Sequence, residues 1–479
     1  MKNTVSKIVC LMLALTMCFG LFACTSEIAP SAQTNTPSNP VTGATDPTTG
    51  AAPAAQTEPE KTESTEPQNG EVAGEIITGG GAEAGFLDNV EGLPDTLANP
   101  NITIVYWYNP KQYAVDIRKQ ADVYDPILEA IPYFEEKYGG KVTVIYAAWG
   151  DMLETVTSLQ NAGDAPDLFE VYDETMYSVI LSGVAMNLDP YVTDLDYSYY
   201  KVNRETFQWK GSDYAIPLKP YAFYIMYNKD LFDLEGLDDP ATMFQQGKWN
   251  WDTFRDVCKR LTKTVDGELS QVAYGSWEDT ILSFMYANGG SLLNIDTKTG
   301  EVASNLGSVQ TQDTINYLIE LKDCFIYGND MWGWFDNGAM AMIRGHEYPV
   351  DFPFDTGMVP FPTGDDYEGK NLVVYPQGMA VPNGAKNPEG AVAFMRVVNE
   401  MQKNVGDQKE ANRIGQANYD MIYADDVNLV YQYDKGLNDI GTVIATIVNY
   451  IRDGVPAATI NANLESQLQA EINLMYNDR

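Results

Sequence analysis

The chain has 479 residues, too many for a single hydrophobic core, and fits two or three domains. It carries 67 Asp and Glu against 30 Lys and Arg, a formal charge of −37, so its surface repels phosphate backbones and anionic lipid, and nucleic acid is excluded as a partner. The single histidine, His346, removes most zinc sites and most Ser-His or Cys-His catalytic arrangements; neither a metal nor a cofactor is expected.

Residues 1–23 have the form of an export signal. Lys2 and Lys7 begin it, and the apolar run Ile8 to Phe22 is too short to span a bilayer. The run closes on Leu21-Phe22-Ala23-Cys24, which resembles the lipobox of bacterial lipoproteins, so Cys24 is expected to be lipidated and to become the mature N-terminus. Several acyl chains on one cysteine hold a protein to a membrane far better than one chain does. The expected location is therefore the extracytoplasmic face of the cell membrane. From Thr25 to about Gly85 the chain has no aromatic residue and is rich in Thr, Pro, Ala and Glu. It cannot bury enough apolar surface to fold, and residues 24–98 form a tether with a span on the order of 45 Å.

The folded part begins near Asn99. Ile102 to Trp107, Lys141 to Ala147 and Asp167 to Tyr172 are β-branched or aromatic runs that predict buried strands. Helices alternate with them. Asp125-Pro126 supplies a cap and first residue, with Ile127, Ile131, Phe134 and Tyr138 on one stripe; Pro132 predicts a kink. Such alternation implies a parallel sheet, whose ligands sit beyond the carboxyl ends of the strands. Those ends are Tyr108-Asn109, Trp149-Gly150-Asp151 and Tyr172-Asp173-Glu174.

Two further strand-like runs, Tyr214–Ile216 and Phe223–Tyr227, flank a stiff segment from Pro217 to Pro220. A strand here leaves one unit, crosses, and enters another. Asn250 then suits a helix cap, with Phe254, Val257, Cys258 and Leu261 at i, i+3, i+4 and i+7. Cys258 and Cys324, both in helix-like patterns, are expected as buried free thiols.

The string Gly211-Ser-Asp-Tyr-Ala-Ile-Pro217, the aromatic strand, Tyr227-Asn-Lys-Asp-Leu-Phe232 and Trp251-Asp-Thr-Phe254 closely resembles the first hinge of family 1 extracellular solute-binding proteins of ABC importers. Ala165-Pro-Asp-Leu168, Gly183 to Pro190, Tyr274-Gly-Ser-Trp277, Asn288-Gly-Gly290 and Phe335 to Gly345 extend the resemblance, which covers roughly residues 99–479. It implies an α/β, two-lobed, type II periplasmic-binding-protein-like fold, each lobe a mainly parallel sheet flanked by helices. Lobe 1 would comprise 99–218 and 363–410, and lobe 2 would comprise 222–358 and 415–479. The crossings would fall near Pro217–Tyr221, Pro360–Thr363 and 405–420, with C-terminal helices Val443–Asp453 and Asn461–Tyr476.

Carried over position by position, the resemblance implies a pocket of Trp107, Asn109, Trp149, Asp173, Glu174, Tyr221, Trp277, Asp279, Arg344 and Glu347. Trp332 and Trp334 join it on composition alone. Each aromatic is equally consistent with core packing, and Asp173 or Glu174 with a helix cap. Two positions depart from the maltodextrin-type pattern: Tyr221 stands in place of an acidic residue, and no aromatic leads into the helix near Gly441. The implied function is capture of a saccharide by a monomer, without chemistry, and delivery to the transmembrane subunits of an ABC permease. Two other classes stay open: a ligand sensor docking on a receptor kinase, and a secreted glycoside hydrolase with a carboxylate pair.

Overall fold

The computed structural model describes residues 85–477 except 89, 120–122, 194, 196–203, 329–330, 346–351 and 365–369. The export signal, Cys24 and the pocket candidate Glu347 lie outside the described residues.

The first lobe begins with β1 (Ile102–Tyr106), α1 (Pro110–Lys119) and α2 (Pro126–Tyr138). Asp125 caps α2 by accepting the Leu128 amide at 2.8 Å, Pro126 occupies its first turn, and Gly139 ends it at φ 70°. β2 (Val142–Tyr146), α3 (Met152–Ala162), β3 (Leu168–Tyr172), α4 (Met176–Leu181) and β4 (Ala215–Pro217) follow. β1 lies between β2 and β3 and is parallel to both, with Ile104 opposite Val144 and Leu168. β1 and β3 are buried along nearly their whole length, as their unbroken apolar runs require.

Leu218-Lys219-Pro220 carries the chain out of that sheet and into β5 (Tyr221–Asn228), which pairs with three other strands of the second lobe. α5 (Lys229–Leu234), α6 (Pro240–Gln245) and α7 (Trp251–Leu261) come next. Asn250 caps α7 through the Thr253 amide at 3.0 Å, and its buried face is Phe254, Val257, Cys258 and Leu261. β6 (Glu268–Ser276), α8 (Thr280–Ala287), α9 (Val309–Glu320), β7 (Phe325–Tyr327), α10 (Met331–Asp336), β8 (Met340–Gly345), β9 (Thr356–Val359) and β10 (Lys370–Tyr375) complete this passage. β7 and β8 run parallel to β6, whereas β8, β9 and β10 all run antiparallel to β5. Cys258 and Cys324 are free and buried.

The return to the first lobe comes later than the segment Pro360–Thr363 to which the sequence assigned it. The Trp249 indole donates to the Pro360 carbonyl at 2.9 Å, and the Trp251 amide to the Thr363 carbonyl at 2.9 Å, which hold that segment on lobe 2. Leu372-Val-Val-Tyr375 then forms a further strand beside β5, with Val373 opposite Phe223. The chain changes lobes only at Pro376. β11 (Gln377–Ala380) inserts between β3 and β4, antiparallel to both, giving the order β2-β1-β3-β11-β4. The physical reason is local: a β-branched and aromatic run of four residues finds an open edge on β5 before the proline interrupts pairing.

α11 (Pro388–Met401), capped by Asn387, packs its Phe394 edge-on to Phe134 of α2 at 5.3 Å. A π-helical turn, Gln402–Gly406, leads to α12 (Asp407–Ile414) and α13 (Gln416–Ile422), the third crossing. β12 (Val427–Tyr431) adds to β10 in parallel, so lobe 2 reads β7-β6-β8-β5-β10-β12 with β9 beside β5. α14 (Ile440–Arg452) and α15 (Ala457–Ile472) pack on α9 in that lobe.

The turn between β12 and α14 is fixed by Asp434, which is fully buried. Its carboxylate accepts the amides of Leu292 at 2.7 Å and Leu293 at 3.0 Å, and the Tyr286 hydroxyl at 3.1 Å. Asp434→Ala strands three buried donors and should cost roughly 2–4 kcal/mol. The urea midpoint checks it, and an unchanged midpoint would show that water replaces the carboxylate.

Candidate functional site

The carboxyl ends of β1, β2 and β3 deliver one wall of the space between the lobes. Trp149 lies in a single helical turn after β2 and is 38% exposed. Its ring stacks on Tyr172 at 4.0 Å and meets Trp107 edge-on at 5.8 Å, and the Tyr172 hydroxyl donates to the Trp149 carbonyl at 2.7 Å. The indole is thus held from behind while one face stays open. Asp173 and Glu174 follow β3. Asp173 is buried and its carboxylate accepts the Glu174 amide at 2.9 Å, whereas Glu174 is exposed toward the cleft.

The opposite wall comes from lobe 2. Trp277 directly follows β6 and is 38% exposed. Asp279 follows it and accepts from the Arg344 guanidinium at 2.7 Å; Lys435, in the turn that Asp434 anchors, stands 3.4 Å from the other Asp279 oxygen. Lys435 also pairs with Glu174, so one ammonium bridges the lobes. Glu174, Trp277, Asp279, Arg344, Lys435 and Gly441 border a cleft of about 590 Å³. Arg344 is buried against the Phe223 ring at 4.8 Å, and two of its nitrogens, Nε and Nη1, are buried without a partner among the described residues.

The charges in the cleft are mutually fixed. Burial works to raise the Asp279 carboxyl, but Arg344 and Lys435 outweigh it and hold it below its usual range. Burial likewise works against the Lys435 ammonium, yet Asp173, Asp279 and Glu174 raise its pKa, so it stays charged. Asp173 has the opposite fate. Burial pushes it up to about 7, with Lys435 offsetting only part of that.

A second, smaller recess of about 90 Å³ lies where the crossings meet, bordered by Trp107, Tyr221, Gln377 and Arg413 among others. Tyr221 stacks on Tyr375 at 5.4 Å, and the Trp107 indole nitrogen is buried without a partner among the described residues. Behind it, Glu170 is fully buried; one oxygen accepts from Gln377 and the other has no partner among the described residues. On the far side of the cleft the lobes touch through Thr206 and Tyr433, whose hydroxyls are 3.2 Å apart, and through Tyr177, Trp209 and Tyr476.

Of the residues chosen from sequence, Glu174, Trp277, Asp279 and Arg344 border the larger cleft, and Trp107 and Tyr221 the smaller recess. Trp149 adjoins Trp107, and Asp173 lies under Glu174. Trp332 and Trp334 are not brought there: on α10 they are half-buried against the lobe 2 core. Asn109 caps the start of α1 by accepting the Lys111 amide at 2.9 Å and borders neither recess. Lys435 was missed. Its only signal was a polar turn, Tyr433-Asp434-Lys435-Gly436, just after a strand. Gly441 drew notice only as a departure, and the structure gives that departure a consequence: a Cβ atom there would meet nothing within 4 Å.

The model of the bacterial extracellular solute-binding protein family matches residues 117–403, more than half of the chain, and the chain belongs to that family. Curated relatives from Brucella abortus and Brucella suis, named as binding proteins, are 26% identical over 185 residues, 35% of this chain; the chain spans about two fifths (42%) of their length. Among solved structures, an ABC substrate-binding protein of Listeria monocytogenes in complex with cycloalternan has a TM-score of 0.58 at 18% identity, covering 79% of this chain and 100% of that one. A sugar transporter protein of Rhizobium etli in an open conformation gives 0.59 at 16%, covering 78% and 99%. UgpB of Mycobacterium tuberculosis in complex with glycerophosphocholine gives 0.58 at 18%, covering 79% and 99%. These likenesses establish the two-lobed fold. Among the described residues no helix is long and apolar enough to cross a membrane.

Burial pushes the Glu170 carboxyl up to about 8, and its bond from Gln377 offsets only part of that. The folded state therefore holds a proton that the unfolded chain releases near pH 4–5, and stability is lost as pH rises from there to about 8. Glu170→Gln should flatten this fall and raise the melting temperature at pH 8 more than at pH 5. Parallel curves for the two proteins would mean Glu170 is ionised in the fold.

Proposed function

We propose that this protein captures a neutral mono- or oligosaccharide between its lobes and releases it unchanged to an ABC permease, while held on the extracytoplasmic face of the membrane through lipid on Cys24. The observation that carries the reading is the composition of the cleft. An exposed indole face, Trp277, stands beside Arg344, Asp279, Lys435 and Glu174, whose charges already balance one another in pairs. A pyranose has apolar C–H faces that an indole covers and a ring of hydroxyls that both donate and accept. Its hydroxyls can donate to the carboxylate oxygens of Glu174 and Asp279 and accept from the Lys435 ammonium together. An anionic solute gains less, because each cation near the cleft already faces a carboxylate and the whole chain carries −37.

Family membership, saccharide complexes among the structural neighbours, and the open space at Gly441 support the same reading. Glycerophosphocholine bound by another neighbour makes a polar non-sugar the ligand class to test against. A dissociation constant in the micromolar range, about −8 kcal/mol, suits capture followed by release.

Calorimetric titration of the full chain with glucose, maltose, maltotriose, xylobiose, glycerophosphocholine, amino acids and short peptides tests the reading. A saccharide should bind, without being cleaved. Binding of a peptide or of glycerophosphocholine with no saccharide response would overturn it. With the binding saccharide, Trp277→Ala should weaken affinity at least tenfold while the melting temperature holds. Gly441→Leu should do the same by filling the cleft, and equal affinities for wild type and Gly441→Leu would place the ligand elsewhere.

A further inference from the structure

The third crossing contains a helix that is poorly held by burial. α12 has eight residues and buries only two apolar side chains, Ala411 and Ile414. It is joined to α11 by a π-helical turn and to α13 by Gly415, at φ 86°, a backbone state that glycine adopts without the strain a Cβ brings. Both joints can absorb rotation, and a helix so short is marginal without outside contacts. The first crossing supplies them. Lys219, between Leu218 and Pro220, places its ammonium 2.8 Å from Asp407 and 2.7 Å from Glu410, both on α12.

The same ammonium lies over the ring of Tyr419 on α13 at 4.8 Å and over that of Tyr423, just past its end, at 4.2 Å, and donates to the Tyr419 hydroxyl at 3.2 Å. Gln402, at the start of the π-helical turn, donates to the Asp407 oxygen that Lys219 also contacts, and Tyr423 donates to Glu410. One side chain on crossing one therefore reaches both helices of crossing three, on either side of Gly415. Its side chain is only 13% exposed, so these attractions are weakly screened. Both crossings, with Gln377 just past the second, also border the 90 Å³ recess, which leaves space on one side for them to shift.

We propose that Lys219 is the positioning residue of the hinge, tying the first crossing to α12 and α13 so that the two strands of the hinge move as one unit when the lobes open or close. The bond is ionic, short and directed, so it fixes orientation while the flanking π-helical turn and Gly415 bend. Lys219 touches no part of the larger cleft, so the role is distinct from ligand contact and does not depend on the ligand's identity.

Hydrogen exchange of the full chain, followed by mass spectrometry without ligand, tests this in three variants. Lys219→Met removes the cation. Lys219→Arg keeps it. The triple variant Lys219→Met, Asp407→Asn, Glu410→Gln removes the cation together with the two carboxylates it contacts. Lys219→Met and the triple variant should both speed exchange across residues 407–422 at least tenfold, with the amides of β1 and β8 unchanged, and Lys219→Arg should restore slow exchange. A triple variant that exchanges as the wild type does would overturn the proposal, since the cation would then serve only to neutralise two carboxylates. Equal acceleration in β1 and β8 would overturn it too, by making Lys219 a support of the whole fold.

Discussion

The pairing of strand β5 constrains the rest of the molecule. Its first half takes β10 on one edge and its second half takes β8 and β9, so that Tyr221 to Asn228 has neighbours along its length. Backbone pairing on this scale fixes register, and a slip of one residue would turn every side chain to the other face. The register places Arg344 opposite Ile225 and next to the Phe223 ring, with the guanidinium bonded to Asp279 in the turn between β6 and α8. It also places Tyr221 against Tyr375 at the last position before each chain segment leaves the lobe. Cleft and hinge are two ends of one strand.

From that frame the electrostatics follow. Asp434 draws the turn after β12 against Leu292 and Leu293, and the next residue, Lys435, is thereby set over the cleft. There it meets Asp279 from its own lobe and Glu174 from the other. A buried ammonium with one carboxylate from each side favours approach of the lobes, and solvent exposure of Glu174 keeps the attraction modest. Aromatic contacts of Tyr177 with Tyr433 and Tyr476 reinforce the approach at the far side. Ligand contributes by contacting both walls, and it can shift the equilibrium only by as much as it prefers the closed state.

Much of the fold was legible because its signals are local. Asp125-Pro126 and Asn250 announce helix starts through caps that form as written, and the apolar runs of β1 and β3 are strands. The second crossing was misplaced because Thr356 to Thr363 looks like an exit, whereas the decision lies in a later run, Leu372 to Tyr375, that pairs at long range with β5. Residues that border the cleft were legible near strand ends, as with Trp277 just past β6 and Arg344 on β8. Trp332 and Trp334 were chosen by residue type alone, and packing took them. Lys435 has no local signal beyond its polar turn, since its role depends on Asp434 reaching 142 and 141 residues back along the chain.

The central claim is that two lobes close on a saccharide held between them. Small-angle scattering of the full chain, titrated with whichever saccharide calorimetry identifies, measures this directly. The account predicts a fall in radius of gyration that saturates at the calorimetric stoichiometry. A profile that does not change at saturation would contradict it, because the ligand would then be binding to one lobe alone.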